Sequence, residues 1–137
     1  MSWQQSFDIR TRGRGTTEIT DEVARRVRAS GIATGIAQVF VQHTSCSVMI
    51  TENADPAVRR DLETLAVRWA PDADPAYRHD TEGGDDMAAH ARSVLAGTSV
   101  SVPVGGGELL LGTWQGIYLW EHRTEAQLRR VVLTVLG

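Results

Sequence analysis

Alternation between apolar and polar positions is the strongest pattern in the chain. In GIAQVFVQHTSCSVMITEN, Ala37, Val39, Val41 and His43 fall on one side of a strand, and Cys46, Val48, Ile50 and Glu52 on one side of the next. The two strands are expected to turn near Thr44–Ser45. GIYLWEHR puts Ile117, Leu119 and Glu121 on a common face in the same way. Residues 3–11, TSVSVPV, ELLLG and LRRVVLTVLG also read as strands, with RGRGTT, GGG and GTWQG as turns.

Three segments carry helical spacing instead. TDEVARRVRASG has Thr20 as a cap, Asp21 and Glu22 at the positive end, a Val23/Val27 stripe, and Gly31 as terminator. DPAVRRDLETLAVRWA offers Asp55 as N-cap and Pro56 at the first helical position, with Val58, Leu62, Leu65 and Trp69 as its expected buried face. A third helix is expected from about Asp86 to Ala96, capped by Asp85 and closed by Gly97, with Met87, Ala91, Val94 and Leu95 as its stripe. The whole predicts an α+β fold: sandwich-like, mostly antiparallel β-sheet layers with about three flanking helices, in one domain spanning 1–137. Strands apolar on both faces imply a second covering layer or a neighbouring subunit.

The same alternation exposes an anomaly. His43, Glu52 and Glu121 end apolar rows, and His90 lies inside the third helix's stripe. His79 precedes it in YRHDTEGGDDMAAH, among Asp80, Glu82, Asp85 and Asp86. An unpaired buried carboxylate costs several kcal/mol, so these groups must meet one another, a cation or water. Imidazoles beside carboxylates suit Zn²⁺ and similar ions, whereas a single inward histidine is equally the mark of a hydrogen-bonded core residue. The spacing matches neither the helical zinc-protease motif nor the EF-hand loop. Two further stretches stay open between a bland and a functional reading. Arg10, Arg12 and Arg14, expected on one face, are solvated charges or an anion site. Thr113, Trp114 and Gln115 form a mere turn or a wall for a flat heterocycle.

Composition changes this picture by exclusion. All 14 basic residues are arginine, which removes Schiff-base, pyridoxal and phosphate-loop lysine chemistry and leaves phosphate to arginine, backbone N–H groups or a metal. The single cysteine, Cys46, excludes intrachain disulfides and thiolate zinc clusters and is expected to be a small packed side chain. A net charge of −3 gives no sign of nucleic-acid or membrane binding. MSWQQSFDIR lacks the apolar core of a signal peptide, and VVLTVL is too short to span a bilayer, so a cytoplasmic protein is expected.

HTSCSVMITENADPAVRRDLE, YRHDTEGGDDMAAH and LLGTWQGIYLWEHR, in this order, resemble the YjbQ-type family of secondary thiamine-phosphate synthases. Thr51 and Cys46 depart from the residues usual there. The resemblance implies a sandwich-like homotrimer with a histidine-lined metal or anion site. It also implies a secondary ability to join a pyrimidine diphosphate to a thiazole phosphate, the primary substrate being unsettled. His43, His79 and His90 fall on the family's motif positions, as do Glu52, Asn53 and the GTWQ turn. The usual thiamine-phosphate synthase is a (β/α)₈ barrel of about 250 residues, which this chain is too short to form. On this basis the metal ligands are expected to be His43, His79 and His90, with Zn²⁺ favoured over Mg²⁺. Glu52 or Glu121 is expected as base, and Asn53, Thr113, Trp114, Gln115 and Arg123 as contacts to a small phosphorylated substrate. The alternative expectation is a non-catalytic trimeric module that binds a phosphorylated metabolite.

Overall fold

The structure, a computed structural model, describes residues 1–137. In chain order the elements are β1 (Ser2–Arg10), β2 (Gly15–Glu18), α1 (Thr20–Ser30), β3 (Gly35–Val41), β4 (Cys46–Glu52), α2 (Pro56–Trp69), α3 (Asp86–Ala96), β5 (Ser99–Gly105), β6 (Glu108–Leu109), β7 (Gln115–Glu121) and β8 (Leu128–Leu136). Two antiparallel sheets result, one of order β1-β8-β3-β5-β6 and one of order β2-β7-β4. This is the α+β arrangement, with three helices, that the patterning predicts.

The inner faces of the two sheets build one core. Ala37, Val39 and Val41 on β3, and Val131, Leu133 and Val135 on β8, meet Cys46 and Val48 on β4 and Ile117 and Leu119 on β7, all fully buried. Each such side chain contributes about 1.5–3 kcal/mol by leaving water. Helix α1 adds Val23 and Val27 to that core, as its stripe predicts, and ends at Gly31 in the left-handed conformation, φ 71°. The outer face of the smaller sheet is also covered: Ser47, Tyr118, Trp120 and His122 are buried, with Trp120 hydrogen-bonded to Glu63 of α2. The double-sided burial inferred from GIYLWEHR therefore has a helical layer as its cause.

Five local expectations are corrected. Asp85 makes no capping hydrogen bond to α3; its carboxylate accepts from Arg123 and the Thr124 N–H instead. Thr20 does not cap α1; its hydroxyl accepts the Ile117 N–H at 2.9 Å and donates to Glu18, tying the helix to β7. The RGRGTT turn gives way after Arg14 to β2, an edge strand paired with β7. On α2 only Ala66 is fully buried, and Trp69 is 54% exposed. The helix is held from its polar side, where Glu63 accepts from Arg92 and Trp120. Its apolar side faces a groove of about 230 Å³ shared with Met49, Leu95 and Trp120. On α3 the buried face is Asp86, Ala88, Ala89, Arg92 and Ser93, whereas Val94 is 83% exposed. Small residues win that face because they let α3 approach β4 closely, Ser93 donating to the Cys46 carbonyl at 2.9 Å. Asp55 and Pro56 do start α2 as expected, the carboxylate accepting the Ala57 N–H.

Candidate metal centre

Helix α3 begins where two glycines end the Tyr77–Gly84 loop, and its first turn presents Asp86 inward, 4% exposed. One helical turn later His90 lies on the same side. The loop folds back so that His79 reaches Asp86 Oδ2 through Nε2 at 2.6 Å. His90 Nε2 approaches the same oxygen at 3.1 Å. The ligand atoms of His79, Asp86 and His90 lie within 4.8 Å of one another.

Hydrogen bonding fixes how these groups face each other. His90 Nδ1 donates to the Thr44 carbonyl at 2.9 Å, so a neutral His90 turns its Nε2 lone pair toward the carboxylate. Two acceptors at that distance repel unless a proton or a metal ion lies between them. Asp86 Oδ1 accepts from Arg123 Nη1 at 2.7 Å, and Arg123 Nε donates to Asp85 at 3.0 Å. Burial pushes the Asp86 carboxyl up, but its His79 hydrogen bond and the nearby Arg123 charge outweigh this and hold it below its usual value. Asp85 is likewise held at about 2, where the Thr124 N–H and Arg123 overcome burial.

The donor set fits a transition metal. Two imidazoles and one carboxylate oxygen give three protein ligands and leave a position open, and the partner groups on His90 Nδ1 and Asp86 Oδ1 are those that orient metal ligands. Ligand atoms about 2.1 Å from a tetrahedral ion sit about 3.4 Å apart; the Asp86 and His90 atoms stand at 3.1 Å, and the 2.6 Å His79–Asp86 hydrogen bond would have to lengthen to admit an ion.

The remaining predicted residues are distributed differently. His43 lies outside this group, although it lines a cleft of about 550 Å³ together with His90, Thr44 and Ser93. Its Nε2 accepts the Arg130 N–H at 2.7 Å; burial, then the Arg129 guanidinium, lowers its pKa and keeps it neutral. Glu121 is fully buried, its two oxygens accepting from Arg129, Thr11 and the Arg123 N–H. Glu52 accepts the Asp55 N–H at the start of α2. Asn53 bonds the Thr113 carbonyl, Gln115 accepts the Gly112 N–H, and Trp114 is exposed. That corner is the far end of β4: Cys46 pairs with Glu121 and Glu52 with Gln115, ends about 20 Å apart at the rise of a strand. Of the three arginines expected on one face, Arg14 alone turns inward, to Asp72 and the His122 carbonyl.

Two buried polar residues, one of them in the site, are absent from the site residues expected from the sequence. Asp86 stands in the sequence only as one of four carboxylates beside His79, though its i,i+4 spacing to His90 was the available signal. His122 is wholly buried, its Nε2 2.7 Å from Ser47 Oγ and its Nδ1 without a partner. Extending the alternation Tyr118, Trp120, His122 would have found it. Burial drives its pKa down to about 3. No solvent reaches this Ser47–His122 pair, so it is a packing contact and not a nucleophile with its base.

The profile of the family described as UPF0047 protein YjbQ-like matches residues 5–137. A UPF0047 protein of Synechocystis is 45% identical over 134 residues, covering 98% of this chain and 91% of that protein. The UPF0047 protein YjbQ of Escherichia coli O157:H7 is 39% identical, covering 100% and 99%. Among solved structures, a YjbQ/UPF0047 family protein from Clostridium acetobutylicum superposes with a TM-score of 0.88 at 34% identity, covering 96% of this chain and 99% of that one. A YbjQ-like protein of unknown function from Sulfolobus solfataricus gives 0.89 at 26%, covering 100% and 99%. Sequence, fold and coverage agree, and the chain belongs to the YjbQ/UPF0047 family.

Proposed function

We propose that this protein is a small metal-dependent enzyme, holding a divalent transition ion through His79, Asp86 and His90, that acts on a small phosphorylated molecule. One observation carries the reading: the His90 lone pair, fixed by the Thr44 carbonyl, faces a carboxylate oxygen that His79 also meets. That geometry is repulsive unless a proton or a metal ion lies between the two atoms, and a metal ion is assigned here. An ion such as Zn²⁺ supplies Lewis acidity toward a phosphoryl oxygen or a water.

The chain's own groups have separable tasks. Arg123 orients Asp86 by binding its second oxygen. Neutral His43 lines the cleft beside His90 and is held there by the Arg130 N–H, so it shapes the cleft wall rather than acting as a ligand. Glu121 holds Arg129, whose Nη1 lies 3.4 Å from His43 Nδ1, and acts through position rather than as a base. Thiamine-phosphate formation, in which an N–C bond forms as diphosphate leaves the pyrimidine methylene, is retained as a side activity on the family resemblance alone. Exposed Trp69, Val94 and Leu95 support a subunit contact that covers them, and a homotrimer as that assembly is retained on the family resemblance alone.

The test is metal analysis of untagged protein stripped with chelator and reloaded with Zn²⁺. About one ion per chain is expected, falling to near zero in Asp86→Asn and His90→Ala, with His43→Ala unchanged. Retention of wild-type metal content by Asp86→Asn would defeat the assignment. Stabilisation by a phosphorylated ligand that no metal form ever turns over would favour the binding module instead.

A further inference from the structure

A second cleft, of about 360 Å³, opens between the start of β2 and the first turns of α2 and has no hydrophobic residue in its lining. Arg14, Thr16, Arg59, Arg60 and Glu63 contribute its side chains. It shares no residue with the clefts that adjoin His43, His90 and His79.

The charges in this cleft do not cancel. Glu63 is its only carboxylate, and both oxygens are already engaged, one by Arg92 at 3.1 Å and one by Trp120 at 2.8 Å. Arg14 is neutralised by a two-pronged pair with Asp72, at 2.8 and 2.9 Å. Arg59 has no carboxylate within 4.0 Å; Nη1 donates to the Glu52 carbonyl at 2.7 Å, and the guanidinium lies 4.8 Å from the Tyr118 ring centre. That contact anchors Arg59 and leaves Nη2 and Nε without partners. Arg60 is exposed and is likewise in no ion pair. Two adjacent guanidiniums therefore face one polar cleft with no counter-charge of their own, beside the Thr16 hydroxyl.

We infer that this cleft is an oxyanion site for the phosphate or diphosphate group of a small metabolite, with Arg59 and Arg60 as its donors. Planar guanidiniums match phosphate oxygens in pairs, and in a chain without lysine arginine is the fixed side-chain cation for the task. The volume suits a phosphorylated small molecule better than a bare ion. Binding here depends on arginine charge and is independent of the metal reading.

Calorimetric titration of the full chain with pyrophosphate and with glycerol phosphate, in chelator so that the histidine cluster holds no metal, tests this. Binding at one site per chain is expected, weakening as salt rises. Arg60→Gln should lower the affinity at least tenfold, the loss expected for one charge-assisted contact. His90→Ala should leave it unchanged. Arg60 is exposed, so its variant decides the matter even if Arg59→Gln folds poorly. Equal affinity in Arg60→Gln and wild type, loss of binding in His90→Ala, or no binding in wild type would each overturn the inference. So would a single-stranded oligonucleotide that binds while pyrophosphate fails to compete, which would assign the arginines to a nucleic-acid backbone.

Discussion

Glu121 and Asp86 are both buried carboxylates with arginine and histidine nearby, yet they do opposite things. Around Glu121 every partner is a permanent donor: Arg129 through two nitrogens, the Thr11 hydroxyl and the Arg123 N–H. Arg129 is completed in turn by the Ser45 carbonyl and hydroxyl. That cluster is closed and needs nothing from outside. Around Asp86, one oxygen is satisfied by Arg123 while the other faces two imidazole nitrogens, one of which offers a lone pair. A carboxylate whose donors are complete is a structural clamp, and one facing an imidazole lone pair is what the proposed cation would complete.

The largest effect expected from this contrast is on stability. Glu121→Gln leaves the Arg129 charge buried and uncompensated, which costs about 3–5 kcal/mol, read as a lower urea midpoint at unchanged slope. Asp86→Asn, measured without metal, should cost about 1–2 kcal/mol, because Arg123 keeps Asp85 as partner. Equal losses for the two variants would erase the distinction.

Acidity gives the next effect. The His122 pKa is about 3 in the fold, whereas an unfolded histidine titrates near 6.5. Between those values the unfolded chain binds more protons, so stability falls as pH drops from about 6.5 toward 3. Urea melts across that window should show it, with a flatter dependence in His122→Gln. A wild-type profile that is already flat there would remove His122 from the closed region.

A smaller, opposite response belongs to the open site. Zn²⁺ at about 100 times its dissociation constant should stabilise the wild type by about 2.7 kcal/mol. It should add nothing to Asp86→Asn and its full increment to His43→Ala. If His43→Ala lost the increment, the ligand set would have to include His43.

The least perturbation is expected at Cys46, which pairs with Glu121 across β4 and β7. Burial pushes its thiol up to about 12, so a thiol reagent should label it only as fast as the chain opens. Rapid labelling of native protein would show the closed region to be accessible.

Much of the architecture was legible because local physics and tertiary burial agreed there. Alternation located β3, β4, β7 and β8, and Asp55-Pro56 and Gly31 marked helix ends. The faces of α2 and α3 were not legible. An apolar stripe predicts burial only when something covers it, and small Ala88, Ala89 and Ser93 beat Val94 and Leu95 for the close approach to β4. Of the site, His79 and His90 were legible as a pair, from density of chemistry in one segment. Asp86 as their meeting point was not, since loop acids look alike until one of them is buried. No sequence rule tells the committed Glu121 from the uncommitted Asp86, because the difference is which donors other strands deliver.

The residue order alone therefore determined the element types, the exclusion of lysine and disulfide chemistry, and the row of polar groups at the ends of apolar faces. Period-two and period-3.6 burial are local properties that any chain segment carries with it. The tertiary structure decided which of those polar groups are closed upon each other and which are left facing a lone pair, since hydrogen-bond completion depends on partners from distant segments.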